Sequence, residues 1–272
     1  PERGGAVDIR QDGDSSYAVT FSGNTVISNT AGDYGGGIAI WQGQHVLTQN
    51  EIRSNSAITG AGLYLDESQA SLVDNLIADN TATGSGGGMA LLESRPWIQS
   101  NRITNNVAES GGGIYAHGPG WGAEGDGGPA MFGNHFISNT ANNSGGGIML
   151  DFSAAAVVGN RFENNHGREG GGIYHLLSDA TVDRNEFKLN TAERGGALSF
   201  QGGNAKVYNN FIYDNQASQY GSAIYTFGAS PYFAHNTIAR NSDGDGSAIY
   251  STYWEPFDQT WDMVNTIIAD QA

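Results

Sequence analysis

A beat of about 25 residues runs the length of this chain and restricts its fold more than any other feature. A Gly-rich run followed by one apolar residue recurs at Val7, Ile38, Leu63, Met89, Ile114, Ile148, Ile173, Leu198, Ile224 and Ile249. The spacings are 31, 25, 26, 25, 34, 25, 25, 26 and 25. A second motif, Asn-x-[Ile/Val/Phe]-x-x-Asn, keeps the same beat from Asn24 through Asn50, Asn75, Asn101, Asn134, Asn160, Asn185 and Asn210 to Asn236. Asn265 opens a tenth copy that closes on Asp270. Two independent motifs in phase mark a repeat architecture, in which each unit buries its apolar face only against its neighbours.

Within a repeat the apolar residues alternate and show no helical period. Leu63-Tyr64-Leu65-Asp66 and Ile114-Tyr115-Ala116-His117 read as short strands, and Val182 to Phe187 spans another pair. Gly, Asn, Ser and Asp separate them as turns. Three short strands and three turns make one coil of a β-solenoid. The expected fold is all-β: a single-domain parallel β-helix over residues 1–272, with about ten coils of about 25 residues. At ~4.8 Å per coil the rod is roughly 45–50 Å long. The apolar residue after each Gly run points inward, and Ile103, Phe136, Phe162 and Phe187 form a second inward stack. Asn side chains stacked in register pair along the axis as an amide ladder, and Asn tolerates the left-handed backbone of tight turns. The Gly runs mark a turn that is crowded or uses positive φ.

Composition narrows the function classes. The formal net charge of −16 repels nucleic acid and anionic membrane, so neither is an expected partner. Cysteine is absent, which excludes disulfides, thiolate catalysis and Cys-ligated metals. No run of 18 apolar residues occurs, so no helix inserts into a bilayer. The Gly runs lack a following Gly-Lys-[Ser/Thr] and a helix, so they form no phosphate cradle. No leader is legible before Pro1, so processing or excision is expected there.

The motif wording resembles a family. Gly4-Gly5-Ala6-Val7 and Gly195-Gly196-Ala197-Leu198, with Phe136-Ile137-Ser138-Asn139, Phe162-Glu163-Asn164-Asn165 and Phe187-Lys188-Leu189-Asn190, are similar to the Gly-Gly-Ala-[Ile/Leu/Val] and Phe-x-x-Asn repeats of the polymorphic outer membrane proteins of chlamydiae and of environmental bacteria. Other copies depart to Gly-Gly-Gly-Ile and Ile-x-x-Asn. The resemblance covers nearly the whole chain. It implies a right-handed parallel β-helix displayed on a bacterial cell surface, often in adhesion. The right hand is also the general preference of parallel crossovers.

Departures from the repeat carry the candidate sites. An insertion of about nine residues lies within His117 to Pro129 and brings Trp121, Glu124 and Asp126. It reads as a surface loop or as the wall of a ligand groove. The residue after each inward Ile/Leu is expected to face solvent, giving a stripe with Tyr64, Tyr115, Tyr174 and Tyr225 and, two residues further on, Trp41, Leu92 and Phe227. Such a stripe stacks on sugar rings, buries against a second copy of the chain, or stabilises its own sheet. Asp66, Glu93, His117 and Asp151 fall near the same face and are the catalytic candidates if the chain cleaves polysaccharide. Asn241, Asp243 and Asp245 match the opening of a calcium loop, with Gly246 sixth but Thr252 rather than Glu twelfth. Neither end shows a cap, so Val7, Ile267 and Ile268 are expected at open edges. The chain is then part of a longer surface protein or stacks end to end on copies of itself. The expected role is an extracellular or cell-surface structural or adhesive rod that assembles or binds glycan. A polysaccharide hydrolase or lyase is the alternative.

Overall fold

The computed structural model describes residues 2–11, 17–118, 127–253 and 260–271. Among them every regular element is a strand. Each repeat supplies one strand to each of three parallel sheets, and each sheet has ten strands. The first sheet runs from Val7–Arg10 to Ile249–Thr252, the second from Thr20–Ser22 to Asp262–Val264, and the third from Thr25–Ile27 to Ile267–Ala269. Further strands such as Ser56–Ala57, Thr81–Ala82 and Val107–Ser110 close the coil on a fourth side. The motif sets the register: Ile148 pairs with Ile114 on one neighbour and Ile173 on the other. The expected all-β parallel β-helix is present.

Alternation decides what fills the interior. The first and third residues of each first-sheet strand point inward, so Ile38, Ile40, Leu63, Leu65, Ile148 and Leu150 are fully buried. Strand spacing then places like upon like. Phe136, Phe162 and Phe187 stack with ring centroids 4.7 Å apart and planes within 4° and 7° of parallel. Each buried ring contributes about 1.5–3 kcal/mol of burial, and each ring pair about 0.5–1.5 kcal/mol more. One apolar cluster runs unbroken from Ile9 to Ala248.

The amide ladder exists twice, once at each Asn of the second motif. In the second ladder Asn139 donates its Nδ2 to Asn165 Oδ1 at 3.0 Å, and Asn165 donates to Asn190 Oδ1 at 2.9 Å. The rungs themselves do not take the left-handed conformation expected of them. That falls to the residue before each rung, as at Asn164 (φ 55°) and Leu189 (φ 55°). The split is geometric: the amide must point inward to reach its copies, so the turn residue beside it carries the positive φ. This also corrects the last coil. The pairing of Thr237 with Ile267 aligns Asn236 with Thr266. Asn265 is therefore the left-handed residue (φ 47°), not a rung. Gln271 extends the second ladder by accepting from the Asn241 backbone N–H at 3.2 Å.

The Gly runs meet both of their expected needs. Gly170, first of its run, has φ +64°, and a Cβ there would lie 2.3 Å from the Ile173 carbonyl oxygen. Gly146, second of its run, would place a Cβ 2.4 Å from the His166 carbonyl oxygen on the next coil. Gly170→Ala is expected to destabilise the fold by more than about 2 kcal/mol, from left-handed strain plus the carbonyl clash. Urea unfolding checks this, and an unchanged midpoint would contradict it.

Candidate functional site

The second and fourth residues of each first-sheet strand point outward, but they are not equally accessible. The expected exposed tyrosine stripe is not there: Tyr64, Tyr174 and Tyr225 are only 2%, 5% and 8% exposed. Side chains from the Gly-run turns and from neighbouring strands of the same sheet cover them. Tyr64 packs against Tyr34 (4.7 Å) and Trp41 (4.9 Å). Tyr225 lies under the Arg194 guanidinium (5.8 Å) and stacks on Tyr250 (6.0 Å). Tyr174 donates its hydroxyl to Gln201 Oε1 at 2.5 Å. Burial pushes the Tyr64 and Tyr174 phenols up, and nearby carboxylates push further, Asp66 at Tyr64 and Glu169 at Tyr174. Tyr115 is half-buried, and its phenol is raised by burial and then by its bond to Asp151. The accessible column is instead the fourth residue of each strand: Trp41, Asp66, Leu92, His117, Asp151, Leu176, Gln201 and Phe227 are all partly exposed. Trp121 and residues 119–126 of the inserted segment lie outside the described residues.

Of the four catalytic candidates, His117 and Asp151 come together. They occupy the same position on adjacent strands, and His117 Nδ1 is 3.0 Å from Asp151 Oδ2. An ionised carboxylate only accepts, so Nδ1 carries the proton and Nε2 is left as the basic nitrogen. Tyr115 donates its hydroxyl to the same Oδ2 at 2.7 Å. Asp151 Oδ1 is buried with no partner among the described residues. Glu93 sits just past the strand Met89–Leu92, with its carboxylate against Gly118. An ideal Cβ on Gly118 would lie 2.3 Å from Glu93 Oε1. Glu93 and Asp151 thus flank the His117 strand from opposite sides. Asp66 stands apart. The register Asp66, Leu92, His117, Asp151 puts it three strands from Asp151. That is ~14 Å at strand spacing, beyond the ~10 Å span of paired glycosidase carboxylates.

Asp66 belongs to a second cluster near the first coil. A shallow groove of about 290 Å³ is lined by Arg3, Arg10, Gln11, Trp41, Gln42, Asp66 and Glu67. The Arg3 guanidinium lies 5.0 Å from the centre of the Trp41 ring, and Trp41 Nε1 donates to Asp8 at 3.1 Å. Gln42 Nε2 donates to Glu67 Oε2 at 2.8 Å. Burial, followed by Glu67, holds the Asp66 carboxyl above the usual carboxylate range. Sequence reasoning put Trp41 on the stripe and Asp66 and Glu67 near it but missed Arg3 and Gln42. Trp41 and Asp66 in the accessible column, each followed by a left-handed polar residue, were the available signal.

Of the calcium candidates, Asn241 is taken up by the Asn ladder. Asn241 Oδ1 accepts from the Asn215 backbone N–H (2.9 Å) and Nδ2 (3.0 Å), as a ladder rung. Asp245 Oδ1 accepts from Ser247 Oγ at 2.7 Å. Among the described residues no three His, Asp or Glu are placed to hold a metal ion. At the rims of the stack Val7 is partly buried, while Ile267 and Ile268 are 61% and 46% exposed.

A family model described as a right handed beta helix region matches residues 7–186 and 122–260. No curated protein and no solved structure matches the chain.

Proposed function

The chain belongs to the right-handed β-helix family, and on that fold we propose an extracellular, rigid rod that binds glycan along the outer face of its first sheet. The groove around Trp41 carries this reading. It offers a partly exposed tryptophan for contact with a pyranose ring, with Gln42, Asp66, Glu67 and Arg3 beside it as hydrogen-bonding groups. The coil stack supplies stiffness, and the net charge of −16 limits lateral aggregation. The resemblance of the repeat motifs to chlamydial surface proteins supports display outside the cell.

The test is affinity electrophoresis against a panel of soluble polysaccharides. Trp41→Ala is expected to weaken retardation by about tenfold or more, the loss typical of a central aromatic contact. Tyr174→Ala, beneath the surface, is expected to leave retardation unchanged while lowering stability. A chain that no polysaccharide retards, or a Trp41→Ala variant retarded as strongly as the wild type, would count against the reading. A second reading, a polysaccharide-active enzyme, is favoured by one observation: the hydrogen-bonded Tyr115, Asp151 and His117 on the same face.

A further inference from the structure

We propose that His117 is the proton-accepting group of a site that hydrolyses the glycosidic bond of a neutral glycan, with Asp151 its positioning residue and Glu93 the proton donor. The proposal rests on the enzyme reading and gives that reading its residues.

Geometry assigns the roles. Asp151 Oδ2 holds the Nδ1–H of His117 at 3.0 Å and is itself held by the Tyr115 hydroxyl at 2.7 Å. The ring is fixed in one tautomer with Nε2 as the base. Asp151 is mostly buried and already accepts two bonds at Oδ2, so it is poorly placed to be the reacting carboxylate. The Glu93 carboxylate, on the other side of the His117 strand, lies against Gly118, where the missing side chain leaves it room. The groups around His117 are therefore Asp151 from one neighbouring strand, Phe152 at the ring edge (6.3 Å) and Tyr115 on its own strand, with the Glu93 carboxylate from the other neighbouring strand lying against the next residue, Gly118.

Charge selects the reaction and the substrate. The Asp151 carboxylate and the chain's net charge of −16 stabilise a transition state that gains positive charge, as glycosidic cleavage does. They oppose the oxyanion of ester hydrolysis, and they repel uronate or sulfate-bearing chains. In the step, water attacks the anomeric carbon and its proton passes to His117 Nε2. The carbon–oxygen bond to the leaving sugar breaks, and that oxygen takes the Glu93 proton. Exchange with solvent returns both groups to their starting forms.

Two measurements decide it. The first is reducing-end release from soluble neutral β-glucan, xylan and galactomannan. The second is ¹H–¹⁵N correlation of the His117 imidazole in the full chain at alkaline pH. His117→Gln and Glu93→Gln are each expected to lose about 100-fold or more in release, the scale of one acid or base group. Asp151→Asn is expected to lose rate and to shift the imidazole from the Nδ1–H tautomer toward Nε2–H. A purely structural Asp151 would leave the tautomer unmoved. Release that survives His117→Gln overturns the assignment and leaves the enzyme reading standing. No release from any of the three polysaccharides overturns both, whether or not they are bound. An unchanged tautomer in a folded Asp151→Asn overturns the positioning role.

Discussion

Asn165→Leu is expected to cost the fold on the order of 5 kcal/mol, enough to leave many domains unfolded. Asn165 Oδ1 accepts from the backbone N–H of Asn139 (3.0 Å) and from its Nδ2 (3.0 Å). Its own Nδ2 donates to the Phe136 carbonyl (2.9 Å) and to Asn190 Oδ1 (2.9 Å). Leu fills the volume but leaves the Asn139 backbone N–H and one Nδ2 hydrogen of Asn139 without an acceptor in the interior, at about 1–3 kcal/mol each. The same change at the outer rung Asn24 is a control. The Asn24 side chain donates to Ser22 and Asn50, and its neighbour Asn50 is still paired with Asn75. Asn24→Leu is expected to cost about 1 kcal/mol or less. Urea unfolding of both variants measures the contrast. Equal costs would show that the ladder is decoration on an interior held by packing alone.

The second large effect is a loss of stability in mild acid traceable to one residue. His175 is the third residue of the strand Ile173–Leu176 and therefore points inward. It is fully buried, stacked on Phe200 at 4.5 Å, with neither ring nitrogen hydrogen-bonded among the described residues. Burial pushes its pKa down to about 3. In the unfolded chain a histidine titrates near 6.5. Between those values the unfolded state binds a proton that the folded state refuses. The stability is thus fully present above about pH 6.5 and falls as the pH drops toward 3, by about 1.4 kcal/mol per unit. His175→Leu removes both the slope and the two unpaired nitrogens. The variant is expected to be about 1 kcal/mol more stable at pH 7.5 and about 3 kcal/mol further ahead at pH 4.5. Unfolding curves at the two pH values compare them. If wild type and variant lose stability in parallel, His175 is not sealed inside as a neutral ring.

What could be read from residues alone follows from translational repetition. Once the beat near 25 residues is seen, every residue's neighbours above and below are known, because one coil lies directly on the next. That is why the Phe136, Phe162 and Phe187 stack, the inward Ile/Leu column and the Asn ladder are legible in the residues alone. The last coil misled because its motif is degenerate. Asn265 looks like a rung by type, and only the pairing of Thr237 with Ile267 shows that the rung position falls on Thr266, whose hydroxyl donates to the Val264 carbonyl.

The outer face obeys a different physics. Alternation tells which side of a sheet a residue faces, but not what lies across it. Tyr64 and Trp41 both point outward; Tyr64 is covered because Tyr34 turns in over it from the preceding Gly-run turn. His117 meets Asp151 rather than Asp66 because strand order, not proximity in sequence, sets that distance. The interior and the register were thus determined by the sequence itself, since repetition reduces them to one dimension. Which outward groups stay accessible, and which carboxylate holds the histidine, was decided only by the tertiary structure, where side chains from turns and neighbouring coils converge in directions the repeat does not encode.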